Sequence, residues 1–201
     1  CIDRADKIAV DGTVYVRVVD YKLNAKQFDC AAFYHGIDIQ LPVYLMVLVR
    51  HLQRKRVRAK PAGAYYYSFH LPFGDQAKEG AELFAQKRMK GFTLDDIPLA
   101  KAFCNMDETG MLRATCENVT RGGFFDVHSQ NRVFTAEEMD LLFAFAHRLI
   151  RRAVKGVLSG VCPAVPAAGK TRACDTCKYA SICRFDNCYE NNRYRKIGAM
   201  R

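Results

Sequence analysis

Two β-rich runs joined by an Asp-Gly turn constrain the fold of this chain most strongly. The runs occupy residues 2–10 and 13–21, and Asp11-Gly12 between them is a strong signal for a two-residue hairpin turn. Side chains alternate between the two faces of a strand, so Asp20 and Lys22 are expected on the same side. The sequence therefore predicts a β-hairpin whose second strand ends in an acidic and a basic side chain.

A helix is predicted next, from about Asp38 to Gln53. Asp38 is the expected N-cap, and Pro42 falls in the first turn, where its missing N–H costs little. Gln40 and Tyr44 stand four residues apart and therefore share one face of this helix. The pattern places a glutamine and a tyrosine close after the Asp-x-Lys strand.

Turn residues and hydrophobic periodicity outline the rest of the chain. Thr135 and Glu138 form a capping box that opens a long amphipathic helix over 136–159, ending near Gly160. The other predicted segments are a connection over 23–36, a strand over 64–71, helices near 78–90 and 94–104, and a short edge strand over 124–127. We predict a core over 1–160, followed by a linker and a cysteine-rich tail over 161–201.

The composition favours a polyanionic partner and no membrane. The chain has 201 residues, of which half are hydrophobic, and its formal charge of 31 minus 21 is +10. No apolar run approaches the roughly 20 residues that a membrane span requires. The positive charge is concentrated in two clusters, each of which is either a solvated helix end or a DNA contact, and the pair of them favours DNA. These clusters are Arg50, Arg54, Lys55, Arg56, Arg58 and Lys60, and then Arg148, Arg151, Arg152 and Lys155.

Asp3, Asp20 and Lys22 are the candidate catalytic residues. Mg²⁺ prefers hard oxygen ligands, so two carboxylates and the backbone carbonyl of Tyr21 form a suitable set. A lysine beside the metal orients or activates the attacking water and neutralises charge on a phosphate. An exposed hairpin end with a cross-strand ion pair is the alternative interpretation of Asp-x-Lys. The apolar run into Asp20 and the Gln40 and Tyr44 pair favour the catalytic one.

The cysteines divide into scattered residues and one group near the end of the chain. Nine cysteines in a chain of this size indicate a reducing compartment rather than a disulfide scaffold. Cys174, Cys177 and Cys183 have the spacing of ligands for an Fe–S cluster or for Zn²⁺. The fourth ligand is either Cys188, five residues further on, or a cysteine outside this sequence.

At these motifs the chain resembles the C-terminal PD-(D/E)xK, RecB-like nuclease domain of AddB (RexB), one of the two subunits of the bacterial AddAB helicase–nuclease. The resemblance rests on I-D-R-A-D at 2–6, V-V-D-Y-K at 18–22, I-D-I-Q-L-P-V-Y-L at 37–45 and C-x-x-C-x-Y-x-x-I-C-R-F-D at 174–186. It implies an α/β, restriction-endonuclease-like fold with a mixed central sheet flanked by helices and a cysteine-rich tail. It also implies a cytoplasmic Mg²⁺- or Mn²⁺-dependent DNA exonuclease that works with an AddA-type partner in recombinational repair of double-strand breaks.

The resemblance assigns roles residue by residue. It makes Asp3, Asp20 and Lys22 catalytic, and Gln40 and Tyr44 the Q-x-x-x-Y pair. Cys174, Cys177 and Cys183 would be three ligands of a [4Fe–4S] cluster, whose fourth cysteine lies upstream of the nuclease core in that family. Where the family often continues D-Y-K with Ser or Thr and then Gly, this chain has Leu23-Asn24, which alters the turn after the lysine.

Two further interpretations stay open from the sequence. The chain begins inside a strand-like pattern without a methionine, so we expect a C-terminal fragment that lacks the family's upstream helix, with the cluster absent or incomplete. The domain is then either an active exonuclease, a non-catalytic Fe–S-stapled DNA-binding or docking module, or a Cas4-like exonuclease, which joins the same core to a cysteine cluster.

Overall fold

The structure is a computed structural model that describes residues 2–24, 26–69, 89–105, 132–161, 163–169, 172–190 and 192–198. Its strands are β1 (Arg4–Val10), β2 (Thr13–Lys22), β3 (Ala59–Ser68), β4 (Lys90–Leu94), β5 (Arg132–Phe134), β6 (Ala167–Ala168) and β7 (Arg195–Lys196). Its α-helices are α1 (Cys30–Tyr34), α2 (Gln40–Arg54), α3 (Ile97–Asn105), α4 (Ala136–Leu158) and α5 (Ala180–Cys183).

The chain forms two compact units. The first comprises Cys1–Phe28 and Ile39–His147, and the second comprises Asp29–Asp38 and Arg148–Arg201. Among the described helices, none is long and apolar enough to cross a membrane.

A mixed sheet forms the centre of the first unit. Its strand order is β1-β2-β3-β4-β5 in the described part of the chain. The β1–β2 and β3–β4 pairs are antiparallel, whereas β2–β3 and β4–β5 are parallel. Because parallel neighbours need a crossover, the chain passes through α1 and α2 between β2 and β3. The predicted mixed α/β architecture with flanking helices is confirmed.

The β1–β2 hairpin has the predicted turn. Asp11 and Gly12 both have positive φ, 46° and 72°, as a type I′ turn requires. Near its start, β3 slips by one residue against β2 between Val16 and Arg17, directly after Pro61. A proline lacks the N–H that a regular ladder would use, so it is tolerated at such an irregularity. The strand begins at Ala59, five residues earlier than the aromatic run predicts.

Helices cover both faces of the sheet in the first unit. The α2 helix packs on β2 and β3 through Leu41, Leu45 and Val49, which are all buried. On the other face, Leu99 and Phe103 of α3 pack against Ala62 of β3. The alternation of side chains along β2 therefore directs its even-numbered residues, including Asp20, towards α2.

Several predicted boundaries were wrong for local reasons. The α2 helix begins at Gln40 with Ile39 as N-cap, because the buried Asp38 carboxylate accepts the Asp29 N–H at 3.4 Å instead of capping the helix. The connection over 23–36 contains α1, whose N-cap Asp29 accepts the N–H groups of Ala31 and Ala32. The strands β4 and β5 were not predicted. Most of the predicted helix near 78–90 and the strand over 124–127 lie outside the described residues.

The capping box at the start of α4 is confirmed. The Thr135 N–H donates to Glu138 Oε2 at 2.8 Å, and the Glu138 N–H donates to Thr135 Oγ1 at 3.2 Å. Two orphan donors of the first turn are thus satisfied. The helix ends at Leu158, and Gly160 follows with a positive φ of 69°, as a helix C-terminus favours.

Candidate active site

The end of β2 carries an acidic and a basic side chain on the same face. Val16 and Val18 bury this face of the strand, and Asp20 follows them with only 2% of its surface exposed. The Lys22 ammonium forms an ion pair with Asp20 Oδ2. The Lys22 side chain is 28% exposed, so it joins a buried carboxylate to solvent.

Gln40 connects these two residues to α2. Its Nε2 donates to Asp20 Oδ1 at 2.8 Å and to Tyr44 Oη at 3.2 Å, while its Oε1 accepts from Lys22 Nζ at 3.0 Å. The amide oxygen therefore faces the cation and the amide nitrogen faces the carboxylate, which suits the charge of each partner. The structure brings together Asp20, Lys22, Gln40 and Tyr44, four of the residues that the sequence singled out.

Asp3 lies at the same edge of the sheet. It precedes β1, whose first residue, Arg4, pairs with Val19, so Asp3 lies beside the end of β2. Its Oδ2 accepts the Tyr21 N–H at 2.9 Å. The Asp3 side chain is exposed, in contrast to Asp20. The Tyr21 peptide thus connects the two carboxylates that are predicted to share a cation.

Whether this site suits a cation can be judged from the environment of Asp20 Oδ2, because a buried carboxylate oxygen needs a positive charge or a hydrogen bond nearby. Asp20 Oδ2 is fully buried and accepts no hydrogen bond from the described residues, so the Lys22 charge is its main compensation. Within the described part of the chain, no group of three or more His, Cys, Asp and Glu side chains is placed to hold a metal ion. Asp20 and Asp3 bring two carboxylates to this strand end, and hard oxygen donors of this kind fit Mg²⁺, which retains several waters in protein sites.

Tyr66 forms a wall of the site that the sequence analysis missed. It is buried in β3 directly opposite Asp20 in the register. The ammonium groups of Lys22 and Lys26 lie 5.4 and 4.4 Å from the centre of its ring, within cation–π range. An aromatic run in the sequence indicates a strand, but only the parallel pairing of β2 and β3 identifies which tyrosine faces Asp20.

A second charge cluster, formed around the buried Arg17, lies on the opposite face of the hairpin. Arg17 is buried, and its Nη2 and Nε lie 2.7 and 2.8 Å from Asp6 Oδ2, while Arg4 Nε donates to Asp6 Oδ1 at 2.8 Å. Burial opposes ionisation of Asp6, but the hydrogen bonds and charges of the two arginines outweigh it and lower the pKa of Asp6 below its ordinary value. Arg4 and Asp6 of the I-D-R-A-D motif therefore have a structural role, in contrast to Asp3 of the same motif.

We expect Asp6→Asn to lower the free energy of unfolding by about 3 kcal/mol, because it leaves the buried Arg17 guanidinium without a counter-charge. The lowered pKa adds a pH dependence. This stabilisation is complete above the ordinary carboxyl pKa of about 4 and is lost as the pH falls through the folded-state pKa. Urea unfolding followed by circular dichroism measures both effects, with Asp11→Asn in the exposed turn as control. Equal stability of Asp6→Asn and wild type at pH 7 would contradict the assignment.

Both basic clusters are exposed. Arg50 and Arg54 lie on the C-terminal half of α2, and Lys55, Arg56 and Arg58 follow in its connection to β3. The second cluster, from Arg148 to Lys155, lies on the part of α4 that belongs to the second unit. Exposure leaves both the helix-end and the DNA-contact interpretations of these clusters in place.

The cysteine-rich tail belongs to the second unit. Cys174 lies in a 3₁₀ turn over Ala173–Thr176, Cys177 follows it, and Cys183 ends α5. The Cys177 N–H donates to the Cys174 carbonyl at 3.2 Å, and a hydrogen bond with the Cys174 thiol raises the pKa of Tyr194. The thiols of Cys174, Cys177, Cys183 and Cys188 are all free, and in the described structure they do not come together in one metal site. Cys1, Cys116 and Cys162 lie outside the described residues.

Comparisons with known proteins identify the family of this chain. The family model of the PD-(D/E)XK nuclease superfamily matches residues 1–184. An ATP-dependent helicase/deoxyribonuclease subunit of Clostridium perfringens (strain 13 / Type A) is 31% identical over 205 residues, covering 98% of this chain and 18% of the relative. A protein of the same name from Bacillus thuringiensis (strain Al Hakam) is 29% identical over 210 residues, covering 100% of this chain and 18% of the relative. These matches confirm the resemblance drawn from the sequence motifs, and the chain spans only 18% of the length of these relatives.

Proposed function

This chain belongs to the PD-(D/E)XK nuclease superfamily, and on that premise we propose that it is a metal-dependent DNA exonuclease domain. The observation that carries the proposal is the network at the end of β2. There Gln40 holds both the buried Asp20 carboxylate and the Lys22 ammonium by hydrogen bonds of 2.8 and 3.0 Å. A site fixed in this way is pre-organised for charge stabilisation at a phosphate.

We assign Asp3, Asp20 and the Tyr21 carbonyl as the groups that would hold Mg²⁺ or Mn²⁺. When bound, the cation would polarise the scissile phosphate and lower the pKa of an attacking water. Asp20 is positioned for this by Gln40, and Asp3 by the Tyr21 N–H. Both carboxylates are therefore oriented through their hydrogen bonds, as metal ligands usually are.

Lys22 positions the water and neutralises charge in this proposal. In the described structure the Lys22 ammonium forms an ion pair with Asp20 and donates one of its three N–H groups to Gln40 Oε1 at 3.0 Å. We assign a further N–H of this ammonium to a water or to a phosphate oxygen beside the carboxylates. Tyr44 acts through Gln40. Its hydroxyl accepts a hydrogen bond from the Gln40 amide and so holds that amide where it orients both Asp20 and Lys22. Gln40 and Tyr44 are thus positioning residues.

The substrate and partner follow from charge and from the relatives. The formal charge of +10 and the two exposed basic clusters suit contacts to a DNA backbone, which carry no sequence information. We propose a single strand from an unwound duplex end as the substrate and an AddA-type helicase–nuclease subunit as the partner, in cytoplasmic repair of double-strand breaks by recombination. The relatives are named as subunits of an ATP-dependent helicase/deoxyribonuclease, which supports this assignment.

Exonuclease action is tested with two forms of one DNA. With Mg²⁺ present, we expect the chain to degrade a linear, end-labelled single strand and to leave a circular strand of the same sequence intact. Both forms present the same phosphates and bases, so the difference measures the need for an end. Cleavage of the circular strand at the same rate would replace the exonuclease assignment with an endonuclease one.

For the tail we propose that Cys174, Cys177 and Cys183 are ligands of a [4Fe–4S] cluster. The support is the spacing of these cysteines and the affinity of thiolates for iron. The geometry adds no support, because the described thiols are not gathered into one site. The fourth ligand is either Cys188 or a cysteine upstream of this sequence. Cluster binding would tie the short segments of the tail together, as structural metal sites do in other small domains.

We expect protein purified without oxygen to contain about four irons and four acid-labile sulfides per chain, the content of one [4Fe–4S] centre. Cys177→Ser should lose most of both, whereas Cys30→Ser in α1 should retain them. Iron and sulfide analysis with the visible absorption spectrum measures this. Zinc with no labile sulfide in the wild-type protein would contradict an Fe–S cluster.

A further inference from the structure

Three aromatic rings meet at the end of β2 and β3, on the face opposite Asp20 and Lys22. The ring centre of Tyr21 lies 5.3 Å from that of Phe69 and 6.0 Å from that of Tyr67, and Tyr67 and Phe69 are 5.2 Å apart. Tyr67 is 6% exposed, whereas Tyr21 is 37% and Phe69 is 54% exposed. The trio is thus a buried ring that supports two exposed ones.

The exposed pair is connected to the candidate active site through the backbone. Tyr21 is the residue between Asp20 and Lys22, and its N–H donates to Asp3. The Phe69 N–H donates to the Lys22 carbonyl at 2.9 Å, which extends the β2–β3 pairing by one residue. Both aromatic residues are therefore neighbours of Lys22: Tyr21 precedes it in the chain, and Phe69 is hydrogen-bonded to it across the two strands. Their backbones lie only about 4 to 6 Å from the backbone of Lys22.

We propose that the Tyr21 and Phe69 rings are a stacking platform for a nucleobase of the single DNA strand at this site. The inference rests on the proposed nuclease function. A strand whose phosphate contacts the end of β2 has its bases within reach of the same edge of the sheet. Stacking on an aromatic ring tolerates any base, which suits a nuclease that must accept every sequence.

The charge around the rings favours a nucleic acid over an apolar protein surface. Arg4 pairs with Val19, two residues before Tyr21, and so lies on the same face of the sheet as Tyr21, which places one guanidinium beside the platform. Aromatic rings flanked by basic groups are typical of surfaces that bind single strands.

The chain contains no tryptophan, so Phe69→Trp introduces a single indole at the platform. The matched control is Val10→Trp, which is at the far end of the hairpin, about 30 Å away along the ten residues of β2. Val10 is 37% exposed, as Tyr21 is. Both variants are titrated in EDTA with an oligothymidylate of about 16 nucleotides and with an abasic strand of equal length and charge. Anisotropy of a dye on the DNA reports binding independently.

We expect oligothymidylate to quench the Phe69→Trp fluorescence and the abasic strand to leave it unchanged, with no response from Val10→Trp. Phe69→Ala should weaken oligothymidylate binding by about 5- to 30-fold and leave abasic-strand binding unaltered, since stacking is worth ~1–2 kcal/mol per base. Circular dichroism checks that each variant is folded.

Two other results would overturn the inference in distinguishable ways. If the DNA binds but neither strand quenches Phe69→Trp, and Phe69→Ala binds like the wild type, the platform is refuted while the proposed nuclease stands. If the wild-type chain binds neither strand and degrades no DNA, the platform and the proposed function fail together.

Discussion

Replacing Lys22 by alanine is expected to lower the rate of single-strand hydrolysis by about 10³-fold, equal to about 4 kcal/mol of transition-state stabilisation. The Lys22 ammonium lies beside the buried Asp20 carboxylate and 3.0 Å from Gln40, so it is held where charge would develop on the phosphate. Alanine removes that charge and also leaves Asp20 Oδ2 without its compensating cation.

The matched control is Lys7→Ala, which removes one exposed lysine from the same hairpin. Single-turnover hydrolysis of labelled DNA measures the chemical step, and anisotropy measures DNA affinity. We expect Lys22→Ala to bind DNA nearly as well as Lys7→Ala, because one phosphate contact contributes little to the total affinity of a basic surface. A Lys22→Ala protein that hydrolyses DNA at the wild-type rate would remove Lys22 from the active site.

Asp20→Asn is expected to weaken metal binding and to slow hydrolysis strongly. Asparagine preserves the shape of the side chain, and its Oδ1 can still accept from Gln40 Nε2, which is 2.8 Å away in the wild type. It lacks the negative charge that holds a hard cation, so Mn²⁺ affinity should fall by more than 10-fold and the hydrolysis rate by about 10³-fold. Calorimetric titration with Mn²⁺ measures the first effect and a labelled-strand assay the second.

Asp11→Asn is the control for this substitution, because Asp11 lies in the exposed turn at the other end of β2 and asparagine also adopts positive φ. It should bind Mn²⁺ and degrade DNA as the wild type does. Unchanged Mn²⁺ affinity in Asp20→Asn would place the cation, if one is bound, away from the β1–β2 edge.

The parts of the fold that depend on local sequence were predictable. The Asp11-Gly12 turn, the strand that ends in Asp20 and Lys22, and the helix with Gln40 and Tyr44 follow from turn chemistry and periodicity. Each signal spans a few neighbouring residues, so no knowledge of distant contacts is required. The capping box of α4 is of the same kind.

The features that were missed depend on pairing between distant segments. Tyr66 contributes to the site only because β3 pairs in parallel with β2. This pairing places Tyr66 opposite Asp20, which is 46 residues earlier in the sequence. Arg17 looks like a surface charge in the sequence, yet Asp6 on the paired strand compensates it and allows its burial. The prediction of Asp38 as the N-cap of α2 was wrong for a similar reason, since the Asp38 carboxylate accepts the Asp29 N–H instead. In each case a tertiary contact overrides the local preference.

The most direct measurement is hydrolysis of an end-labelled single DNA strand by the chain after treatment with a chelator and again after Mg²⁺ is restored, with Lys22→Ala measured in parallel. The Asp20–Lys22–Gln40 network predicts no hydrolysis in chelator, recovery with Mg²⁺ in the wild type, and a rate about 10³-fold lower in Lys22→Ala after Mg²⁺ is restored. Hydrolysis that persists in chelator, or that Mg²⁺ restores equally in both proteins, would contradict a metal-dependent nuclease site at the end of β2.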